Sequence, residues 1–287
     1  MVMVADKKEG KSLSRRSFLR QSGILVTGAV VGAAGLSLLS CAEPEKSPEE
    51  PVQWPWPYKK LDVERVRKLG HLGYYMGNCS SGSFYGVLRA LREEVGYPYT
   101  LLPIDPPNNM LAFGGGGVSG WGSHCGGLLG ASTAVNLVSK DYGAIVGELT
   151  GWYTEFAFPS VISNEYASNH EFLHEEFPAK FEGKYKTDEV LVSSVSGSPL
   201  CHVSVTKWCE AAGYKAYSTE RSERCARLTG DCAAKAAELL NKAAAGQSVA
   251  EYIAPAAIAE CNSCHGKDGV VENAKLKMDC GQCHEPH

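Results

Sequence analysis

Apolar positions recur every three to four residues in three stretches of the chain, and each predicts a helix. In SFYGVLRALREEVG (83–96), Phe84, Val87, Leu88, Leu91 and Val95 fall on one face, with Asn78 or Ser80 as cap and Gly96 as stop. GGLLGASTAVNLVSK (126–140) predicts a second helix, whose small residues allow close packing. SERCARLTGDCAAKAAELLNKAAAG (222–246), rich in Ala and Leu and ended by glycine, predicts the longest. The stretch 150–200 is mixed and aromatic, and short strands are expected there. Trp121, Trp152 and Trp208 are expected in the core. The fold class is mostly α.

A fourth apolar run, ILVTGAVVGAAGLSLL (24–39), has another meaning. It falls short of the roughly 20 residues that span a bilayer as a helix, and Gly28, Gly32 and Gly35 weaken it further. Arg15-Arg16 and Phe18-Leu19 precede it in SLSRRSFLRQSG, which resembles a twin-arginine export signal. LLSC (38–41) reads as a lipobox that would make Cys41 a lipid anchor to the membrane; SCA (40–42) also fits ordinary signal peptidase. Both readings put the mature chain in the periplasm. The expected order is then a signal peptide (1–41), a linker (42–57) with five prolines and four glutamates, a domain (58–245) and a tail (246–287).

Residues 42–287 carry 22 basic and 30 acidic side chains, a formal −8, with no basic stripe. Nucleic acid is excluded as a partner on that ground.

The tail holds CNSCHGKDGVVENAKLKMDCGQCH (261–284), two Cys-x-x-Cys pairs with fifteen residues between them. Four thiolates at this spacing suit a zinc ribbon, but Cys-x-x-Cys-His is also the attachment site of a c-type haem. His265 and His284 decide between them. Histidine is 8 of 287 residues, so two such placements by accident have odds on the order of one in a thousand. Haem chemistry needs this order: Cys261, Cys264, Cys280 and Cys283 become thioethers, and His265 and His284 become proximal ligands of two haem c groups. Export favours the same reading.

Six cysteines remain in the domain: Cys79, Cys125, Cys201, Cys209, Cys225 and Cys232. From spacing alone they could form three disulfides, stay as inert buried thiols, or hold a metal cluster. Three features favour the cluster. Cys79 stands just before a predicted helix, where N–H groups favour a thiolate. Cys125 follows the glycine tract GGGGVSGWGSHC (114–125), whose bare backbone can approach an inorganic core, although a flexible loop is the competing reading. Cys225 and Cys232 lie seven apart on one helix face.

The segments GNCSSGSFYGVLRAL, GWGSHCGGLLGA, SGSPLCHVSVTKWC and ERCARLTGDCAAKAAELLN resemble the redox family named for its C…GCAxxG…C…C pattern. Joined to the two haem motifs, they are similar to the split-Soret cytochromes c of sulfate-reducing bacteria over roughly residues 70–287. The resemblance implies a helical, cysteine-rich redox domain followed by a short, loop-rich dihaem segment. It also implies a homodimer with two bis-histidinyl haems and one [2Fe–2S] cluster per subunit. The pattern's cysteines fall on Cys79, Cys125, Cys201 and Cys225, with Cys209 in reserve. Here GCA reads HCG, and the closing glycine comes one residue late, at Gly130.

For the distal haem ligands, His71 in LGHLGYYMGNC and His287 are the candidates, with Met76 and Met110 as alternatives. His202 is expected to hydrogen-bond near the cluster, and His124, His170 and His174 to be structural or surface residues. The function these features favour is extracytoplasmic electron transfer, with redox partners the sequence does not name. The rivals are a reductase with an open iron site and a thiol–disulfide module.

Overall fold

Eight α-helices carry most of the structure, a computed structural model that describes residues 51–105, 110–171, 187–275 and 277–285. In chain order they are α1 (Val63–Met76), α2 (Cys79–Val95), α3 (Gly126–Val138), α4 (Tyr142–Glu155), α5 (Val161–Ser168), α6 (Cys201–Ala212), α7 (Thr219–Ala244) and α8 (Ala256–His265). Two short strands, β1 (Ala157–Phe158) and β2 (Ser194–Val195), pair antiparallel with Ala157 opposite Val195. These residues belong to one unit, Glu50–His287. The expected export signal and Cys41 lie outside the described residues.

The three periodic stretches are helices. α2 begins before the apolar period does, because the Asn78 side chain accepts from the N–H groups of Ser80 and Ser81 and carries a polar first turn into the interior. Gly96, at φ 79°, ends it. α7 starts at a Ser218 cap, and its 26 residues span about 39 Å at the usual rise.

α7 is the axis of the fold. Ala226, Ala233, Ala236 and Ala237 on its buried faces let α1, α2 and α3 approach closely. α1 and α2 touch backbone to backbone: a Cβ at Gly73 would lie 2.8 Å from the Gly82 Cα. α4 packs on α3 and α7, and β1 brings Phe158 into the same core.

Two expectations are corrected. Trp208 is fully buried and donates to the Val192 carbonyl at 2.7 Å, and Trp152 packs on Phe156 and Phe158; Trp121, however, is 85% exposed. It rides a run of glycine turns with no regular element to press it inward. The linker also differs, because residues 51–57 are extended but not free. Trp54 donates to the Asn136 carbonyl at 2.7 Å, and the Trp56 ring meets Tyr99 edge-on at 5.2 Å. Two indoles give this proline-rich segment enough apolar surface to dock.

Candidate metal centre

Two helices begin at a cysteine, and a third is capped by one. Cys79 opens α2, Cys201 opens α6, and Cys125 is the cap of α3. Unsatisfied N–H groups and the helix dipole favour negative charge at such ends. Cys225 joins them from α7. The four sulfurs converge, since every pair among them is close enough for each charge to act on the other.

The glycine tract supplies the wall opposite. The Gly116 N–H points at the Cys79 sulfur, and the N–H groups of Gly127 and Leu128 at that of Cys125. A Cβ at Gly126 would lie 2.6 Å from Cys79 Sγ. One at Gly117, where φ is 68°, would lie 2.7 Å from Cys201 Cβ. Only bare backbone fits there.

Burial, and then the neighbouring sulfurs, push the thiols of Cys79 and Cys125 up and that of Cys201 up to about 12. As bare thiols these three keep their protons at neutral pH. A bound cation would draw them off, because coordination stabilises the thiolate. The donor set therefore fits an iron–sulfur group. Among the described residues no three His, Cys, Asp or Glu side chains close around a single metal ion. All ten described cysteines are free thiols, so the three-disulfide alternative is not realised among them. Cys79 and Cys125 are buried while Cys201 and Cys225 are partly exposed, which leaves one side of the centre near the surface.

The two extra cysteines border the centre, each acting on only some of the four sulfurs. Cys209 feels Cys225 but sits farther along α6, partly exposed. Cys232 is fully buried, and a Cβ at Gly127 would come within 3.1 Å of its sulfur, so it serves as a small core residue. Sequence reasoning missed the polar group behind the centre. Tyr153, fully buried, reaches the Cys125 sulfur and donates to Ser204 Oγ at 3.0 Å; Arg224 donates to the same oxygen at 2.9 Å. The available signal was an arginine directly beside Cys225 in the sequence.

The tail is pinned where it leaves α7: the Glu148 carboxylate accepts from the N–H groups of Glu251 and Tyr252 at 2.8 and 2.7 Å. Cys261, Cys264 and His265 end α8, and Cys280 opens a short 3-10 turn whose Gln282 docks on Lys207 and the Gly197 carbonyl. The Cys261 and Cys280 thiols lie close enough to act on each other, so the two motifs adjoin. The His265 Nδ1 lies 2.9 Å from Asn273 Oδ1, an acceptor. An Nδ1–H donated to that oxygen is the tautomer that a proximal haem ligand uses. A cavity of about 840 Å³ opens beside it, lined by Asn262, Lys267, Asn273, Lys275 and Lys277 among others. His284 is exposed.

The expectation for His71 is corrected. This side chain is fully buried between α1, α5 and α7, with Nδ1 2.7 Å from the Tyr166 hydroxyl and Nε2 2.9 Å from both Tyr75 and Glu223. Neither nitrogen is open to an iron, because a carboxylate and two phenols already hold the ring. His287 and His174 lie outside the described residues. His202 is exposed and bonds the Gly122 carbonyl at 3.0 Å, not a cysteine; His170 pairs with Asp188 at the surface. His124 is half-buried, and burial lowers its pKa. Met76 and Met110 pack against the core.

Residues 78–239 match a family model for redox-active proteins of the C_GCAxxG_C_C type. The split-Soret cytochrome c of Desulfovibrio desulfuricans is 34% identical over 273 residues, covering 91% of this chain and 90% of its own. A solved structure described as a novel iron centre in the split-Soret cytochrome c from Desulfovibrio desulfuricans matches at 32% identity and a TM-score of 0.66. It covers 81% of this chain and 91% of that one.

Proposed function

Since the chain belongs to the split-Soret cytochrome c family, we propose that it is an extracytoplasmic electron-transfer protein with two haem c groups and one [2Fe–2S] cluster per subunit. The observation that carries this reading is the convergence of Cys79, Cys125 and Cys201, each at the start of a helix, with Cys225 of α7, in the same chain as two adjoining Cys-x-x-Cys-His motifs. Cys261, Cys264, Cys280 and Cys283 hold the haems, with His265 and His284 as proximal ligands and His287 as a distal one. Such groups change oxidation state by one electron without a bound substrate.

The chain's own part is to hold and insulate. Helix starts and backbone N–H groups place positive potential on Cys79 and Cys125, and the α3–α7 packing keeps water from both. The partly exposed side at Cys201 and Cys225 is where electrons reach or leave the cluster. A tail of 42 residues cannot cover two macrocycles, so their remaining faces are buried against a second copy in a homodimer. The twin-arginine signal delivers the folded domain to the periplasm, with Cys41 as a possible lipid anchor.

Exported protein should give two low-spin haem signals per chain, acid-labile sulfide, and no rapid carbon monoxide binding when reduced. An apo tail or bound zinc on mass spectrometry would end the haem reading. Rapid, stoichiometric carbon monoxide binding would favour a reductase instead.

A further inference from the structure

Three arginines on α1 and α7 are largely or wholly buried, and two of them have carboxylates. Arg67 pairs with Asp231, and Arg227 with Glu223 at 3.1 Å, Asn164 and two backbone carbonyls. Arg224 is 1% exposed, yet its one hydrogen bond is to the Ser204 hydroxyl, and its Nε has no partner at all. Among the described residues no carboxylate forms an ion pair with it. A guanidinium cannot shed its proton, and a buried charge without a counter-ion is among the costliest features a fold can carry.

The groups near Arg224 show where its counter-ion lies. It precedes Cys225 in the chain. Ser204, which it grips, is one helical turn from Cys201 and also bonds Tyr153, which reaches Cys125. Its charge acts on Cys201, Cys209 and Cys232 as well. The groups its charge acts on are thus sulfurs and a phenol at or beside the four-cysteine centre.

We propose that Arg224 is the buried counter-ion of the cluster held by Cys79, Cys125, Cys201 and Cys225, and that its charge raises the cluster's reduction potential. The inference rests on the cluster reading given above. A four-thiolate iron–sulfur group is an anion whose negative charge grows by one on reduction, so a fixed cation nearby favours the reduced form. Ser204 and Tyr153 hold the guanidinium in place.

The test is an EPR-monitored redox titration of exported holoprotein, wild type against Arg224→Gln, Arg224→Met and Arg224→Lys, with haem absorption as the internal control. At a fixed potential the neutral variants should shift the cluster at least tenfold toward the oxidised form, which for one electron is a fall of about 59 mV. The lysine variant should keep most of the wild-type value, and the haems should not move. An unchanged cluster potential in both neutral variants would overturn the proposal while leaving the cluster intact. Wild-type protein without acid-labile sulfide would overturn the cluster reading and this proposal with it. If the neutral variants fail to assemble a cluster, assembly in Arg224→Lys supports the charge; failure there too refutes it, since shape would then be the requirement.

Discussion

His71→Leu separates a structural histidine from a haem ligand. The imidazole touches Tyr166, Tyr75 and the Glu223 carboxylate, all in the interior. A hydrogen bond to a charged group contributes about 1.5–3 kcal/mol and a neutral one about 0.5–1.5. Not all of this is lost, because Tyr75 still donates to Glu223 at 2.6 Å and Glu223 still accepts from Arg227. Leucine also gains some apolar burial. The net cost comes to about 2–4 kcal/mol, which for a unit of this size lowers Tm by about 4–16 °C. The assay is a thermal melt of purified holoprotein together with its visible spectrum in both oxidation states. The expected result is a lower Tm with low-spin haem bands unchanged. A wild-type Tm with one haem turned high-spin, or newly open to carbon monoxide, would refute the reasoning and make His71 an iron ligand.

Other outcomes follow from the same geometry. Cys79→Ala or Cys125→Ala should abolish acid-labile sulfide while leaving haem content intact, whereas Cys209→Ala should leave both; iron and sulfide analysis checks this. Gly126→Ala should act like the cysteine variants, because its Cβ would stand 2.6 Å from Cys79 Sγ. Glu148→Ala should free residues 246–256 to limited proteolysis, since two N–H groups of the tail lose their acceptor. Burial alone would raise the Glu93 carboxyl, but hydrogen bonds from Arg65 and Arg89 outweigh it and hold the pKa below its usual value. Its contribution is therefore present above the unfolded pKa of about 4.3 and is lost as pH falls through the lower folded value. Glu93→Gln should flatten the acid side of a stability-against-pH curve, most visibly at low salt.

The helices with a clean apolar period were legible, as were Gly96 as a stop and Asn78 as a cap. α1 and α6 were not, because glycines, histidine and cysteines interrupt their apolar faces: they are read by packing against α7 and by the centre itself. The pattern cysteines were legible as a set through the family resemblance, and spacing alone left disulfides open. Trp121 misled because an aromatic side chain suggests burial, but the glycine turns around it give no surface to bury against.

The linear chain carries what is local or covalent. Paired Cys-x-x-Cys-His triplets, the arginine pair ahead of an apolar run, and helical periodicity all act within a few residues. Arg224 without a carboxylate, His71 locked by Glu223, and an indole-anchored linker arise from groups tens to hundreds of residues apart. Burial, hydrogen bonding and charge depend on distance in space, and only packing around α7 sets those distances.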